Sequence, residues 1–579
     1  MKTRNYILAS LAFIIVAAGA AFAQVQDPGA PGPLAVTREE YNFGDTAFQP
    51  GFGFPAPVEL RASIHYPTNL PGGPYPVILF LHGRHATCFK GNTQLLQWPC
   101  TDVGSAPIPS FQGYDYVGQV LASHGYVVVS VSANGINAVD NSDGNLGMTA
   151  RAELLQKHLD ILKTFTTTGG APFGTKFVGK LDLTRVGTMG HSRGGEGVVL
   201  HYFLNNNVLG APYGIKAVFP LAPVDFFRFT VNNAALNVML PYCDGDVADL
   251  QGVHFHDDSR YNVPGDTGPK HYELVMGANH NFFNTIWSPG SSSFPGAIDD
   301  WLGFVPGGHS DSQCGSGKTS QRLTEAQQRG TGLAYMSAFF RAYVGGETQF
   351  LPLLTGDTPP PASAQNTNLF VSYHAPANRR LDVNTLLNDN NLTTNTLGGA
   401  ATQTALSPYE LCGGEAPQPQ RCIAEANNAQ QPHTTPSAGS NARGLSQLKT
   451  GWNNLTGNYR NNIPAALGNV SGFQAVQFRV SVNFADVRNL GGLAQDFRVV
   501  LTDAAGGSAS VRVSDVSNAL YFPPGEVIVL PKIVLNTVRV PLSAFSGVNL
   551  NAVRSVQFTF NERLQGGILV SDVAFASAP

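Results

Sequence analysis

The sequence predicts an α/β domain built on an open, mainly parallel sheet, followed by an all-β sandwich. Three observations carry this expectation. From about residue 35 to 355, short apolar runs alternate with segments whose apolar residues recur at helical spacing. Beyond about residue 430, apolar and polar residues alternate singly, with no helix of any length between them. A Pro-rich polar stretch, TGDTPPPASAQNT, separates the two textures.

The elements follow in chain order. Residues 1–23 read as a signal peptide: Lys2 and Arg4 precede an apolar run from Ile7 to Ala20, and Ala21-Phe22-Ala23 offers a small-x-small cleavage site. The run is shorter than the roughly 20 residues a membrane span needs. The mature chain is therefore expected to be exported, secreted or periplasmic, with no membrane span. PVILFLHG, from Pro76 to Gly83, begins as a strand buried on both faces. YDYVGQVLASHG (114–125) then reads as a helix, YVVVSVSA (126–133) as a strand and MTARAELLQKHLDILKTF (148–165) as a helix. TRVGTMG is a strand ending at Gly190, GEGVVLHYFLNN a helix, and GTGLAYMSAFFRAYVGG (330–346) a closing helix. The boundaries are placed at 24–355 for the α/β domain, 356–368 for the linker and 369–579 for the β-domain. In the latter, Val476, Phe478, Val480 and Val482 alternate with Gln477, Arg479 and Ser481, a pattern of one buried face.

Composition excludes several functions. Charged residues make up 13% of the 579 residues, about half the usual share, and the net charge is −4. No block of like charge suggests nucleic acid or an acidic membrane surface. The six Cys are even in number and suit an exported chain. Proximity favours Cys88–Cys100 and Cys412–Cys422, leaving Cys243–Cys314. No cofactor and no metal is expected. Gly317-Lys318-Thr319 lacks the earlier glycine and leading strand of a phosphate-binding loop. His254 and His256 would share one side of a strand but read more simply as a polar loop.

The chemistry centres on Gly190-His191-Ser192-Arg193-Gly194. The G-x-S-x-G string alone is weak in a chain with 63 Gly. Its setting gives it force: a strand runs directly in and a helix directly out, as a nucleophile elbow requires. A serine hydroxyl needs a base, and the base needs an orienting carboxylate. Strand LNVMLPY (236–242) leads into CDGDVAD, which places Asp246 in the following loop, with Asp244 and Asp249 as alternatives should the loop register differ. The next strand, in HYELVMGANH (271–280), delivers His280. The oxyanion donors are expected to be the backbone N–H groups of Arg193, at a helix N-terminus, and Arg84, after the early strand. His85, Phe282, Phe283 and Trp287 are candidate pocket residues, with ordinary packing as the alternative. The Arg193 side chain is expected to pair with Glu196.

These motifs resemble the cutinase-like and polyester-hydrolase-like branch of the α/β-hydrolase superfamily. The HGRH loop, GHSRGG, GANHNFF and AFFRAYVGG carry the likeness, over roughly residues 55–355. It implies Ser192 as nucleophile, His280 as base, Asp246 as orienter and the Arg84 and Arg193 amides as oxyanion hole. Two features depart. Arg193 stands where compact members often carry Met or Gln, and a long insertion (about 285–325) follows His280. The C-terminal stretch loosely resembles jelly-roll modules of the carbohydrate-binding type, which implies docking to a carbohydrate or polymer surface. The expected activity is hydrolysis of a carboxylic ester, in a lipid, polyester or acylated sugar, through an acyl-enzyme. The competing readings are an exported serine peptidase and a non-catalytic binding protein acting through its β-domain.

Overall fold

The computed structural model describes residues 27–51, 53–298, 314, 321–364, 368–387, 391–413, 422–423, 431–434, 446–521 and 531–579. The signal peptide expected at 1–23 and Gly317-Lys318-Thr319 lie outside them. Nine strands form the main sheet: β1 (Val36–Asn42), β2 (Arg61–Pro67), β3 (Tyr75–Leu81), β4 (Val127–Val131), β5 (Leu181–His191), β6 (Ile215–Leu221), β7 (Ala235–Pro241), β8 (Lys270–Val275) and β9 (Leu369–His374). Their order is β1-β2-β4-β3-β5-β6-β7-β8-β9. The six strands from β4 to β8 run parallel, while β1, β2 and β9 join antiparallel at the edges.

Helices α1 (Asp115–Ser123), α2 (Asn134–Val139), α3 (Met148–Thr167), α4 (Arg193–Phe203), α5 (Val253–Ser259) and α6 (Glu325–Tyr343) accompany the sheet. Side chains from alternate positions of β3 enter different cores. Val77, Leu79 and Leu81 join Leu154, Leu155 and Leu159 of α3, whereas Ile78 and Phe80 join Phe339 and Phe340 of α6. This two-sided burial explains the unbroken apolar run of the sequence.

Strand β9 corrects the domain boundary drawn at residue 369. It pairs with β8 from Lys270↔His374 to Val275↔Leu369 and so completes the first sheet. After it, two antiparallel sheets enclose a separate core. One contains Tyr409–Gly413, Ser446–Trp452, Ala475–Val482, Asn536–Pro541 and Gly566–Ala576, with Arg380–Asn384 paired to the last of these. The other contains Ala401–Thr404, Gly457–Asn462, Arg498–Asp503, Ser508–Arg512 and Val553–Phe560. Phe478 and Phe558, one from each sheet, meet with ring centroids 4.6 Å apart.

The expectation of one buried face at 475–482 is also corrected. Every residue of that strand is buried. Its polar face lies against the first domain: Gln477 Nε2 donates to the Tyr373 carbonyl at 2.8 Å, and Arg479 Nη2 meets Asp257 Oδ1 at 2.8 Å. Gln477 and Arg479 are buried because each finds a partner across the domain boundary, whereas Ser481 Oγ donates to the Val482 carbonyl of its own strand. All three expected disulfides are formed: Cys88–Cys100, Cys243–Cys314 and Cys412–Cys422. No helix among the described residues is long and apolar enough to cross a membrane.

Candidate active site

Strand β5 ends at His191 and α4 begins at Arg193, so the whole reversal falls on Ser192, with φ 57° and ψ −123°. Such a conformation costs a non-glycine residue about 1–3 kcal/mol and needs surroundings that enforce it. They are present. The Ser192 N–H donates to Leu221 O of β6 at 2.9 Å, and its carbonyl accepts from Gly195 N at 2.8 Å. The turn also demands absent side chains. A Cβ on Gly194 would lie 2.8 Å from His82 O, and one on Gly83 would lie 2.6 Å from both His191 O and Ser192 Cβ. The loop after strand β3 thus touches the serine through Gly83, a close approach that no sequence motif marks.

His280 follows β8 and a turn at Gly277 (φ 78°). Helix α6 fixes that turn reciprocally: Asn279 N donates to Gln328 Oε1 at 2.9 Å, and Gln328 Nε2 donates to Asn279 O at 2.6 Å. The imidazole of His280 lies 4.8 Å, centroid to centroid, from that of His191, the residue before the serine. Its Nδ1 is 2.8 Å from Asp244 Oδ2.

The carboxylate on Nδ1 is thus Asp244, where the sequence points to Asp246. Asp246, carried from the sequence as the orienting carboxylate, sits on the other side of the ring, with Oδ2 3.5 Å from Nε2, and its side chain is 49% exposed. The reason is a turn closed by Asp244 itself. Its Oδ1 accepts the N–H groups of Asp246 at 2.9 Å and Val247 at 2.6 Å, turning the loop so that residue 246 faces outward. The Asp244 side chain is fully buried. Asp249 bonds instead to Gln251, through its backbone and side chain.

The neighbouring histidines carry no charge near neutral pH. Burial, followed by the proximity of His280, holds His191 well below its ordinary value; burial lowers His82 to about 3 and also lowers His85. His85 is half-buried and stacks on Trp287 at 5.2 Å and 9°. Trp287, Phe282 and Phe283 are all buried, with Trp287 Nε1 bonded to Ser110 Oγ at 3.0 Å and the Phe283 carbonyl accepting from Tyr116. Of the four expected pocket residues, His85 alone is not buried. The first part of the long insertion packs beside it, Gly296 O lying 3.3 Å from His85 Nε2 and Phe294 against Phe89.

Among the described residues, neither the Arg84 nor the Arg193 backbone N–H has a hydrogen-bond acceptor. The Arg193 side chain does not pair with Glu196. It reaches Asp140 Oδ2 at 2.8 Å and Asn141 Oδ1 at 3.1 Å, while Glu196 turns inward to accept the N–H groups of Phe226 and Phe227. His254 and His256 lie on helix α5 rather than a strand, where residues two apart diverge by about 200°. His254 accordingly faces Asp225, at 3.1 Å, and His256 packs on Tyr272. No group of three or more His, Cys, Asp or Glu side chains suited to a metal occurs among the described residues.

Residues 108–289 match a family model described as PETase, PET hydrolase-like. This stretch is therefore similar to PET hydrolase-like proteins. Cutinase est1 of Thermobifida alba is 25% identical over 162 residues, covering 28% of this chain and 46% of the relative, so the match spans less than half the relative's length. The PET hydrolase-like match, with the large mixed sheet, implies an α/β-hydrolase fold. It contains Ser192, Asp244 and His280; Arg84 and the β-domain lie outside it.

Proposed function

We propose that the protein is an exported serine carboxylester hydrolase. The observation that carries the reading is the Asp244 carboxylate 2.8 Å from His280 Nδ1, on an imidazole lying beside a strained serine elbow. In this reading Ser192 Oγ attacks the ester carbonyl as His280 Nε2 takes its proton, and Asp244 holds the Nδ1–H and stabilises the imidazolium. The tetrahedral oxyanion receives the N–H groups of Arg84 and Arg193. Collapse passes the proton to the leaving alcohol; a water, activated by the same imidazole, then releases the acid and restores Ser192. The PET hydrolase-like match favours ester over peptide substrates. The three disulfides fit an oxidising compartment and support export.

The β-domain adds an apolar docking tip to this reading. Leu455, Val487, Leu490, Leu493 and Leu564 are all exposed. Strand register brings their three loops to one end of the sandwich, Trp452 opposite Gly566, Gly457 opposite Phe560 and Val482 opposite Ile568. Aliphatic side chains favour an apolar polymer over a carbohydrate.

A panel of p-nitrophenyl esters, polyester powder and peptides, run on the protein and on Ser192→Ala, tests both parts. The expected result is ester cleavage without peptide cleavage, with kcat about 10⁶-fold lower in Ser192→Ala. Equal ester activity in the two proteins would reject the hydrolase reading. Failure of Ser192→Ala to sediment with polyester powder would reject the docking tip alone.

A further inference from the structure

We propose that Asp140 is a positioning residue for the oxyanion hole, holding in place the two segments that supply its amides. The inference rests on the esterase reading above. Asp140 follows α2, and its side chain is fully buried. Its Oδ1 accepts Arg84 Nε at 3.0 Å; its Oδ2 accepts Arg151 Nη2 at 2.9 Å and forms an ion pair with Arg193 Nη1 at 2.8 Å. Two of these three arginines are the residues whose backbone N–H groups lack acceptors among the described residues. One carboxylate therefore grips both halves of the hole, from the β3 loop and from the first residue of α4.

The grip on Arg84 is reinforced at its own peptide plane. The Arg84 N–H shares that plane with the Gly83 carbonyl, and a trans peptide aims the two groups in opposite directions. Asn137 Nδ2 donates to Gly83 O at 2.9 Å, and His82 Nδ1 lies 2.9 Å from the same oxygen. The Ala133 N–H donates to His82 Nε2 at 2.8 Å, which leaves the ring proton on Nδ1 to donate to Gly83. Fixing that oxygen fixes the opposite direction for the Arg84 N–H. Arg151 ties the assembly together, its Nη2 also donating to Asn137 Oδ1 at 2.6 Å. An amide displaced by an ångström from the developing oxyanion loses its advantage in the transition state while leaving ground-state binding intact.

Asp140→Asn is expected to lower kcat on p-nitrophenyl butyrate about 10- to 100-fold, with KM within about twofold of the parent. Arg84→Ala/Arg193→Ala keeps both amides but cuts the ties, and is expected to show the same split. In that background, Asp140→Asn should cost less than about threefold further, because the paths it acts through are gone. Unchanged kcat in a folded Asp140→Asn protein, or fully additive losses across the two backgrounds, would overturn the proposal. Should Asp140→Asn fail to fold, the double arginine variant decides: a parental kcat there overturns it. A parent protein without Ser192-dependent ester activity would instead refute the esterase reading itself.

Discussion

Two buried aspartates in this molecule sit among arginines in nearly the same way and to different ends. Asp140 holds Arg84, Arg151 and Arg193 inside the α/β-hydrolase domain. Asp257, on α5, meets Arg479 at 2.8 Å and His433 at 2.6 Å, both from beyond β9, and a reverse pair joins Arg260 to Asp572 nearby. The difference lies in the backbones of the arginines. Arg479 sits in mid-strand, paired with Thr537 on one side and Ser571 on the other, so its amide is committed to the sheet. Arg84 and Arg193 carry amides with no acceptor among the described residues. A buried carboxylate among arginines is thus not in itself a mark of catalysis. The site it serves is read from what those arginines leave free.

The largest effect that sharpens this contrast is on stability. Asp257→Ala strands Arg479 and His433 and is expected to destabilise the fold by about 3–5 kcal/mol, measured as a lower denaturant midpoint, with kcat of the folded protein unchanged. A loss of kcat at unchanged stability would erase the distinction from Asp140. Burial alone would raise the Asp257 carboxyl, but His433 and Arg479 hold it well below the ordinary carboxylate range. Its contribution is therefore present above about 3.8, the ordinary value, and is lost as the pH falls through the native value.

A smaller effect comes from a third buried carboxylate, one without a cation. Glu273, in mid-β8, accepts from Asn237 Nδ2 at 2.9 Å, and burial pushes it from 4.5 up to about 8. The native protein thus keeps a proton that the unfolded chain releases, and stability declines as the pH climbs from about 4.5 to about 8. Glu273→Gln is expected to flatten that decline in midpoints measured between these limits. A slope identical to the parent's would show that Glu273 does not titrate in this range.

The same contrast governs what is legible in sequence. The elbow is legible because it is a demand on the backbone, written as glycines between a strand and a helix. The cysteine pairs are legible from proximity once two short loops are assigned. The choice among Asp244, Asp246 and Asp249 is not, because CDGDVAD offers three carboxylates and an Asx turn closed by Asp244 decides which one faces inward. Asp140 carries no motif at all; its role comes from three arginines far apart in the chain. Strand β9 reads like any strand of the β-domain, since nothing in LFVSYH marks which sheet it joins. Gln477, Arg479 and Ser481 look solvent-facing because period two separates two faces without saying what covers the polar one.

The account stands most directly on which carboxylate supports the imidazole, and kcat/KM for p-nitrophenyl butyrate in Asp244→Asn and Asp246→Asn measures it. Asp244→Asn is expected to fall by about 10⁴-fold, since the amide no longer holds the reactive tautomer, while Asp246→Asn stays within about tenfold of the parent. A severe loss in Asp246→Asn beside near-parental activity in Asp244→Asn would contradict the account.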